Sequence, residues 1–186
     1  MTLTKQKFRE KCLQNLRSLP THNKLYRDAL VNKKLLAELK GVRNKSILIY
    51  YPLVSEVNLI KVIKEIRKTN TIYMPFMEQQ SFKMVTFRLP LYKKKFNIFE
   101  AGNSFKQIKK VDIAIVPAIG VDKNLQRIGF GKGMYDRFFA KLKKKPYTIF
   151  LQADECYTRE KICDIYDISC DVLLTPKTIK RISARP

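Results

Sequence analysis

The chain has 186 residues, of which 45% are hydrophobic, and this length and composition suit one domain with a full apolar core. We therefore expect residues 1–186 to form a single domain. No apolar run approaches the ~20 residues of a membrane helix, and the polar N-terminal stretch lacks the apolar segment of a signal peptide. These features argue against a membrane protein and favour a cytoplasmic one.

The charge balance is strongly basic, because 38 Lys and Arg against 16 Asp and Glu give a formal net charge of +22. A basic surface attracts nucleic acid, but it also steers small anions such as nucleotides or polyglutamyl tails. The lysines are spread along the whole chain, as is typical of a solvated surface. Aromatic residues do not alternate with basic ones as base-stacking platforms do, so a nucleic-acid-binding module is the less favoured interpretation.

The chain contains four cysteines, Cys12, Cys156, Cys163 and Cys170. Their spacing is not the paired, close spacing of a zinc site. Nothing in the sequence directs the chain to an oxidising compartment, so we expect reduced thiols that pack as small apolar side chains.

Residues 4–18 have the pattern of an amphipathic helix with Thr4 as the N-cap. Lys5 and Arg9 are four residues apart and therefore lie on the same side of this helix. They could act together on a phosphate chain, and a solvated basic face is the alternative. A second helical pattern runs through Leu39 and ends near Gly41, a natural stop signal.

The rest of the chain alternates between apolar runs and helical patterns, which predicts an α/β fold. We expect a three-layer open sheet, mostly parallel, with helices on both faces. One antiparallel element is predicted, because the second and third apolar runs are too close for a helical crossover. The predicted strands are residues 46–51, 71–76, 83–88, 111–116, 147–151 and 172–175.

Two connecting segments are candidates for ligand contacts. Glu56 follows the first predicted strand, and we expect it to open a helix that extends through Ile66. A carboxylate at this junction lies at the sheet edge where open α/β folds bind ligands, although the helix dipole also favours an acidic residue there. Residues 90–110 are polar and basic and predict a loop excursion, either a ligand lid or irregular surface packing.

Three of the six glycines stand at alternate positions, Gly129, Gly131 and Gly133, between a strand and a helical pattern. Glycines let backbone N–H groups approach an anion closely, and a simple turn is the alternative. The order of residues is not that of a Walker A loop. It also differs from the dinucleotide pattern G-x-G-x-x-G, because Met134 stands at the last glycine position.

The residues that flank these glycines favour a polyphosphate site with a divalent metal. Arg127 and Lys132 supply positive charge, and Asp136 supplies a carboxylate. Magnesium nucleotides require cations, backbone donors and one or two carboxylates, which is the combination found here.

The chain resembles the 5-formyltetrahydrofolate cyclo-ligase family, also called 5,10-methenyltetrahydrofolate synthetases, over nearly its whole length. The central segment is R-I-G-F-G-K-G-M-Y-D-R at 127–137, preceded by V-D-I-A-I-V-P-A-I-G-V-D at 111–122. Three further segments match, namely K-Q-K-F-R at 5–9, Y-Y-P-L-V-S-E-V at 50–57 and Y-D-I-S-C-D-V-L-L-T at 166–175.

The resemblance implies an open three-layer α/β fold and an ATP-dependent reaction. The formyl oxygen of 5-formyltetrahydrofolate attacks the γ-phosphate, N10 closes on the activated carbon, and phosphate leaves to give the 5,10-methenyl product. The expected partners are ATP, Mg²⁺ and a reduced folate with or without a polyglutamyl tail, and the expected assembly is a monomer or weak dimer.

The resemblance also implies roles for individual residues. Asp136 and Asp167 would hold Mg²⁺, directly or through water. Tyr51 and Glu56 would contact folate. The residues implied to bind the nucleotide are Lys5, Arg9, Arg127, Gly129, Gly131, Lys132, Gly133 and Tyr135, of which Arg127, Lys132 and Tyr135 are also the expected catalytic residues.

Two departures from the family pattern fall on the substrate side of the glycine stretch. Met134 stands where the family usually has a tyrosine, and Phe130 stands where some members have a basic residue. An apolar thioether can pack against a pterin but offers no hydroxyl. An alternative interpretation therefore keeps the fold and the ATP site and changes the substrate.

Overall fold

The structure is a computed structural model that describes residues 3–93, 99–103, 108 and 110–182. Its helices are α1 (Lys5–Ser18), α2 (Lys24–Glu38), α3 (Ile60–Ile66) and α4 (Met134–Ala140), with a 3-10 turn at Thr21–Asn23. Its strands are β1 (Ser46–Ile49), β2 (Thr71–Met77), β3 (Phe82–Thr86), β4 (Tyr92–Lys93), β5 (Phe99–Glu100), β6 (Ile113–Pro117), β7 (Gly120–Val121), β8 (Arg127–Ile128), β9 (Tyr147–Leu151), β10 (Val172–Leu174) and β11 (Ile179–Arg181).

Seven strands form one sheet in the order β11-β10-β9-β6-β1-β2-β3. The pairs from β10 to β2 are parallel, and the edge strands β3 and β11 are antiparallel to their neighbours. The predicted mostly parallel α/β sheet and its antiparallel element at β2 and β3 are confirmed. The second antiparallel strand, β11, was not predicted, because its sequence Ile-Lys-Arg is short, largely exposed and not an apolar run.

The sheet is buried on both faces because successive strand residues point to opposite sides. On one face, Ile47 and Ile49 of β1 pack in the cluster that contains the apolar residues of α2 and α3. On the other face, Leu48 packs in the cluster that contains Phe138 and Phe139 of α4. The predicted three layers with helices on both faces are therefore confirmed. None of the described helices has the length and apolar character that crossing a bilayer requires.

Helix α1 places two cations beside the sheet edge. It begins at Thr4, whose hydroxyl accepts a hydrogen bond from Lys7 N at 3.3 Å, as an N-cap should. Phe8 and Cys12 are buried in a small cluster with Ile119, which follows β6. This apolar face fixes the helix, and Lys5 and Arg9 lie beside it as partly buried side chains that contact Asp167 and the carbonyl of Gly129.

The prediction that Glu56 opens a helix is wrong. Glu56 lies in the loop between β1 and α3, where its N–H donates to Leu53 O at 3.0 Å in a turn. Asn58 then accepts a hydrogen bond from Ile60 N at 3.1 Å, and α3 begins only at that residue. The short polar side chain of Asn58 competes with helix formation earlier in the segment.

The excursion predicted for residues 90–110 is described only in part. Strands β4 and β5 form a separate antiparallel pair within it, with Tyr92 opposite Glu100. Residues 94–98, 104–107 and 109 lie outside the described residues. The suggestion of a ligand lid therefore stays a prediction.

The expectation of four reduced thiols is wrong for one pair, because Cys12 and Cys156 form a disulfide. The two residues are 144 positions apart in sequence, but packing of α1 against the segment after β9 brings their Cα atoms to 5.8 Å. Sequence spacing alone could not reveal that proximity. Cys163 and Cys170 are free and buried, as expected, and burial raises the pKa of both thiols.

We predict that replacing Cys12 and Cys156 together by alanine lowers the free energy of unfolding by about 2–5 kcal/mol, because the bridge restricts the unfolded chain. Urea denaturation under non-reducing conditions measures the loss. A reductant should lower the stability of the wild type toward that of the double variant and leave the double variant unchanged. Equal stability of the wild type and the double variant without reductant would contradict the assignment of a disulfide between Cys12 and Cys156.

Candidate active site

A cleft opens at the carboxyl ends of β1 and β6, the two central strands. The chain leaves β1 toward β2 on one side and leaves β6 toward β9 on the other, so this is the point where the strand order reverses. Ligands of open α/β sheets bind at such a point. Residues from several connections line the cleft, among them Glu56 after β1, Ala118 and Ile119 after β6, and Phe130 of the glycine stretch.

Arg127 is the buried cation beside this cleft, with only 8% of its surface exposed. Its Nε donates to Pro117 O at 2.8 Å, and its backbone N–H donates to Ile168 O at 2.8 Å. Its guanidinium carbon lies 4.7 Å from the centre of the Tyr135 ring, a cation–π contact. Arg127 therefore ties the end of β6 to the start of α4.

The acidic groups around Arg127 offset the cost of burying its charge. Desolvation lowers the pKa of the guanidinium, while Tyr135, Asp136, Glu56 and Asp167 act in the opposite direction. An arginine remains protonated at neutral pH under such a shift. These interactions bring four of the predicted site residues into the electrostatic field of one side chain.

Gly129 is required by the position of Arg127. A Cβ atom at residue 129 would lie 2.7 Å from the Arg127 Cζ, closer than real contacts permit. Gly131 and Gly133 serve the turn, because their φ angles of +93° and +59° lie in the left-handed region. The alternate glycines thus have two different structural causes.

Arg9 of α1 lies against the glycine stretch. Its Nε donates to Gly129 O at 2.8 Å, and its guanidinium also hydrogen-bonds Gln6 within the helix. Its Cζ is 3.8 Å from the position of a Cβ on Gly131. The cation therefore covers the glycine loop from the helix side.

Lys5 is paired with the turn at 164–167. Its ammonium group forms an ion pair with Asp167 and a longer one, 3.5 Å, with Asp164. Burial alone would lower the pKa of Lys5, but the hydrogen bond and ion pair with Asp167 outweigh it and raise the pKa. Lys5, which the resemblance implies binds the nucleotide, is thus a direct neighbour of Asp167, which it implies holds the metal.

Asp136 and Asp167 offer two carboxylates near Arg127. Asp136 Oδ1 accepts a hydrogen bond from Ile168 N at 3.2 Å, and Asp167 Oδ2 accepts one from Asp164 N at 2.7 Å. Within the described residues the second oxygen of each carboxylate makes no hydrogen bond, and no group of three or more His, Cys, Asp or Glu could hold a metal. Two carboxylates suit Mg²⁺ when phosphates and waters complete its octahedron.

Glu56 is the acidic group on the other side of the cleft. Burial by the surrounding protein raises its pKa to about 7, against lowering by the Leu53 N–H and by the charges of Arg127 and Lys24. The Leu53 N–H donates to its Oε2 at 2.9 Å. Phe130, 46% exposed, lines the same cleft. A carboxylate beside an apolar ring can hydrogen-bond and pack against a flat heterocycle.

Tyr51, Met134 and Lys132 are not among the described residues that line the cleft. Tyr51 packs against Phe99, with ring centroids 5.3 Å apart, on the side of β4 and β5. Met134 is partly buried, and its sulfur is 3.7 Å from Arg137 Nη2. Lys132 is exposed, and its Nζ makes no ion pair or hydrogen bond with the residues that the structure describes.

Tyr135 lies between the buried cation and the sheet. Burial raises its pKa, while Arg127 acts against that rise. Its ring meets Phe82 of β3 edge-on, with centroids 5.0 Å apart. The hydroxyl therefore stays protonated at physiological pH and can donate a hydrogen bond.

Sequence reasoning missed three residues that shape the site. Gln126 donates from Nε2 to Asp164 O at 2.7 Å and to Asp167 O at 3.1 Å, which fixes the turn that carries Asp167. Arg137 binds the carbonyl of Lys132 and so closes the glycine loop. Lys24 binds the carbonyl of Glu56 at 2.7 Å. Gln126 and Arg137 could have been indicated only by their positions at the ends of the glycine stretch. No signal in the sequence indicated Lys24.

The fold and the cleft define an open α/β protein whose ligand site combines buried and exposed cations, a glycine loop and carboxylates. The sequence profile of the 5-formyltetrahydrofolate cyclo-ligase family matches residues 1–176. The chain therefore belongs to this family of ligases.

Individual relatives agree with this assignment. The chain is 27% identical to the 5-formyltetrahydrofolate cyclo-ligase of Mycoplasma pneumoniae over 176 residues, covering 92% of this chain and 98% of that one. It is 28% identical to the mouse 5-formyltetrahydrofolate cyclo-ligase, covering 91% of this chain and 92% of that one. The solved structure of Aquifex aeolicus 5,10-methenyltetrahydrofolate synthetase superposes with a TM-score of 0.76 at 26% identity, covering 99% of this chain and 96% of that one.

We predict that Glu56→Gln stabilises the fold above neutral pH, because burial raises the pKa of Glu56 to about 7 from an ordinary value of 4.5. Between these values the folded chain holds a proton that the unfolded chain has released, so the free energy of unfolding falls as pH rises. Above about pH 7 the variant should be more stable than the wild type by roughly 1–3 kcal/mol.

Thermal unfolding at about pH 4 and about pH 8 checks this prediction, since the two proteins should be equally stable at the lower value. Glu160→Gln, at an exposed side chain, is the matched control and should show no pH-dependent gain. A gain for Glu56→Gln of the same size at both pH values would contradict the raised pKa.

Proposed function

We propose that this protein converts 5-formyltetrahydrofolate to 5,10-methenyltetrahydrofolate with consumption of ATP and with Mg²⁺ bound. The observation that carries the proposal is the cleft in which a partly buried carboxylate, Glu56, faces the glycine stretch and Arg127. Family membership and the names of the relatives support the reaction. The cations and glycines supply the chemistry that a nucleotide requires.

The nucleotide half of the site is the region between α1 and the glycine stretch. Lys5 and Arg9 approach it from the helix, and Lys132 approaches it from the loop. We assign the triphosphate to these cations and to the backbone N–H groups of the glycine stretch, because anions bind where cations and backbone donors converge. The assigned residues are Lys5, Arg9, Arg127, Gly129, Gly131, Lys132, Gly133 and Tyr135.

Asp136 and Asp167 are the residues that would hold Mg²⁺. Each has one carboxylate oxygen that makes no hydrogen bond within the described part of the chain, and both lie in the field of Arg127. Bound there, the metal would supply charge neutralisation for the phosphates. The ion pair between Lys5 and Asp167 implies that Lys5 exchanges this partner for a phosphate when the nucleotide binds.

The proposed reaction has two bond-forming steps. The formyl oxygen attacks the γ-phosphorus, and the bond from that phosphorus to ADP breaks. N10 then attacks the formyl carbon, the carbon–oxygen bond breaks, and inorganic phosphate leaves with the former formyl oxygen while N10 loses its proton. Arg127 and Lys132 offset the charge that builds on the transferred phosphoryl group, which is the main catalytic requirement of such transfers.

The folate half of the site is assigned to Glu56, Tyr51, Phe130 and Met134. Glu56 in its ionised form accepts hydrogen bonds from pterin N–H groups, and Phe130 offers an apolar face beside it. Because burial raises the pKa of Glu56 to about 7, acidification protonates the carboxylate and removes this acceptor. We therefore expect the affinity for folate to increase as the pH rises through 7.

A second candidate keeps the ATP site and uses a different substrate. Phe130 and Met134 depart from the family pattern and support it. Phe130 lines the cleft, and Met134 follows the glycine stretch directly. Titration calorimetry separates the two candidates. Binding of ATP without binding of 5-formyltetrahydrofolate would favour the second.

The setting of the reaction is part of the same proposal. We infer a cytoplasmic enzyme that works as a monomer or weak dimer and accepts a reduced folate, with or without a polyglutamyl tail. The net charge of +22 supports attraction of such acidic tails. Analytical ultracentrifugation tests the assembly state, and a comparison of KM for mono- and polyglutamylated substrate tests the tail.

The direct test of function is a spectrophotometric assay. Purified protein is mixed with 5-formyltetrahydrofolate, ATP and MgCl₂, and the absorbance of the methenyl product is followed. We expect product only when all three are present, with ADP and phosphate formed in equal amounts. Absence of ATP-dependent product would overturn the proposal.

We predict that Lys132→Ala and Asp136→Asn each lower kcat by at least about 100-fold, because the first removes a cation that offsets charge on the transferred phosphoryl group and the second removes a carboxylate that would hold Mg²⁺. Lys143→Ala, at an exposed lysine three residues after the end of α4, is the matched control and should keep the wild-type rate. Circular dichroism checks that each variant is folded. Near wild-type rates for both site variants would refute the roles assigned to them.

A further inference from the structure

Lys24, the first residue of α2, connects this helix to the loop that carries Glu56. Its Nζ donates to the backbone carbonyl of Glu56 at 2.7 Å and to Asp28 Oδ2 at 2.7 Å. One ammonium group thus bridges a helix side chain and the main chain of a residue at the cleft. Neither Lys24 nor Asp28 belongs to the five short segments quoted above for the family resemblance.

Asp28 fixes Lys24 in this position. It is only 5% exposed, and its Oδ1 is buried and makes no hydrogen bond within the described residues. A buried carboxylate with one unsatisfied oxygen depends strongly on its cation partner. The ammonium group is therefore held between Asp28 and Glu56 and does not move freely as a surface lysine does.

The rest of the loop is anchored in the same manner. Asn32, two turns after Lys24 on the same side of α2, donates to Asn58 O at 2.9 Å. Tyr50 OH donates to Val57 O at 3.2 Å. Since the Leu53 N–H occupies Oε2 of Glu56, and Oε1 makes no hydrogen bond with the described residues, Oε1 is the oxygen left for a ligand.

We propose that Lys24 and Asp28 act as a positioning pair for the substrate side of the cleft. They fix the main chain at Glu56 and so hold its carboxylate where it accepts hydrogen bonds from the reduced folate. This inference rests on the proposed function. Lys24 touches no reacting atom and acts only through Glu56.

The charge of Lys24 adds a second effect. Burial raises the pKa of Glu56 and the positive charge of Lys24 lowers it, so loss of Lys24 should move the titration of Glu56 to higher pH. Any test by pH must consider all groups that face this carboxylate. They are Arg127 of β8, Tyr135 of α4, Tyr50 after β1 and Lys24 of α2, and Asp28 is the ion-pair partner of Lys24.

The test compares variants of the full chain in the methenyl-forming assay. Lys24→Met alone would leave the Asp28 carboxylate buried without its cation partner. The main variant therefore combines Lys24→Met with Asp28→Leu, which removes both charges. We expect KM for 5-formyltetrahydrofolate to rise about tenfold and KM for ATP to change by less than about twofold. The acidic limb of the profile of kcat/KM against pH should move to higher pH.

Two further variants make the comparison specific. Lys33→Met removes a charge from the exposed face of the same helix and should leave both KM values unchanged. Lys24→Arg keeps a cation that can reach Asp28 and the Glu56 carbonyl and should recover most of the folate affinity. Equal rises in both KM values, or wild-type kinetics in the double variant, would overturn the proposal.

Amide hydrogen exchange separates this inference from the proposed function. In the double variant, exchange at residues 53–58 should accelerate about tenfold while exchange in the β6 and β9 core stays unchanged. If the wild type forms no methenyl product, the proposed function fails, and the exchange rates alone decide the role of the pair. Unchanged exchange rates at residues 53–58 would overturn the proposed positioning role of Lys24 and Asp28.

Discussion

The site depends on one buried side chain, the guanidinium of Arg127. It reaches the carbonyl of Pro117 at the end of β6, lies on the ring of Tyr135 at the start of α4, and occupies the space that a side chain at residue 129 would need. A lysine has no planar fork and cannot make these contacts at once. The glycine stretch is therefore shaped around Arg127, and the position of its backbone donors follows from that packing.

Burial of this cation also sets the electrostatics of the cleft. Tyr135, Asp136, Glu56 and Asp167 all interact with it, and Asp167 is further paired with Lys5. The centre of the site is thus closer to charge balance than a chain with a net charge of +22 suggests. A phosphate chain entering here would meet Lys132 and Arg9 first and would then compete with Asp167 for Lys5. Positioning and charge neutralisation are what phosphoryl transfer demands of a protein.

The sequence allowed the fold class to be predicted and drew attention to the glycine stretch, for identifiable reasons. Apolar runs such as 147–151 are strands because both faces of a parallel sheet are buried. The alternate glycines are conspicuous in a chain with only six. Other features depend on contacts between distant segments, which local patterns cannot reveal. The Cys12–Cys156 bridge, the bond from Lys24 to Glu56 and the loop conformation of Glu56 all arise in this way.

The central claim is that the shape and charge of the Arg127 guanidinium organise the site, and Arg127→Lys tests it most directly. This variant keeps the positive charge and removes the fork. We predict that kcat/KM for ATP-dependent formation of methenyltetrahydrofolate falls by at least about 100-fold while the variant remains folded, with Arg17→Lys on the exposed side of α1 unaffected. A rate close to that of the wild type in Arg127→Lys would contradict the account.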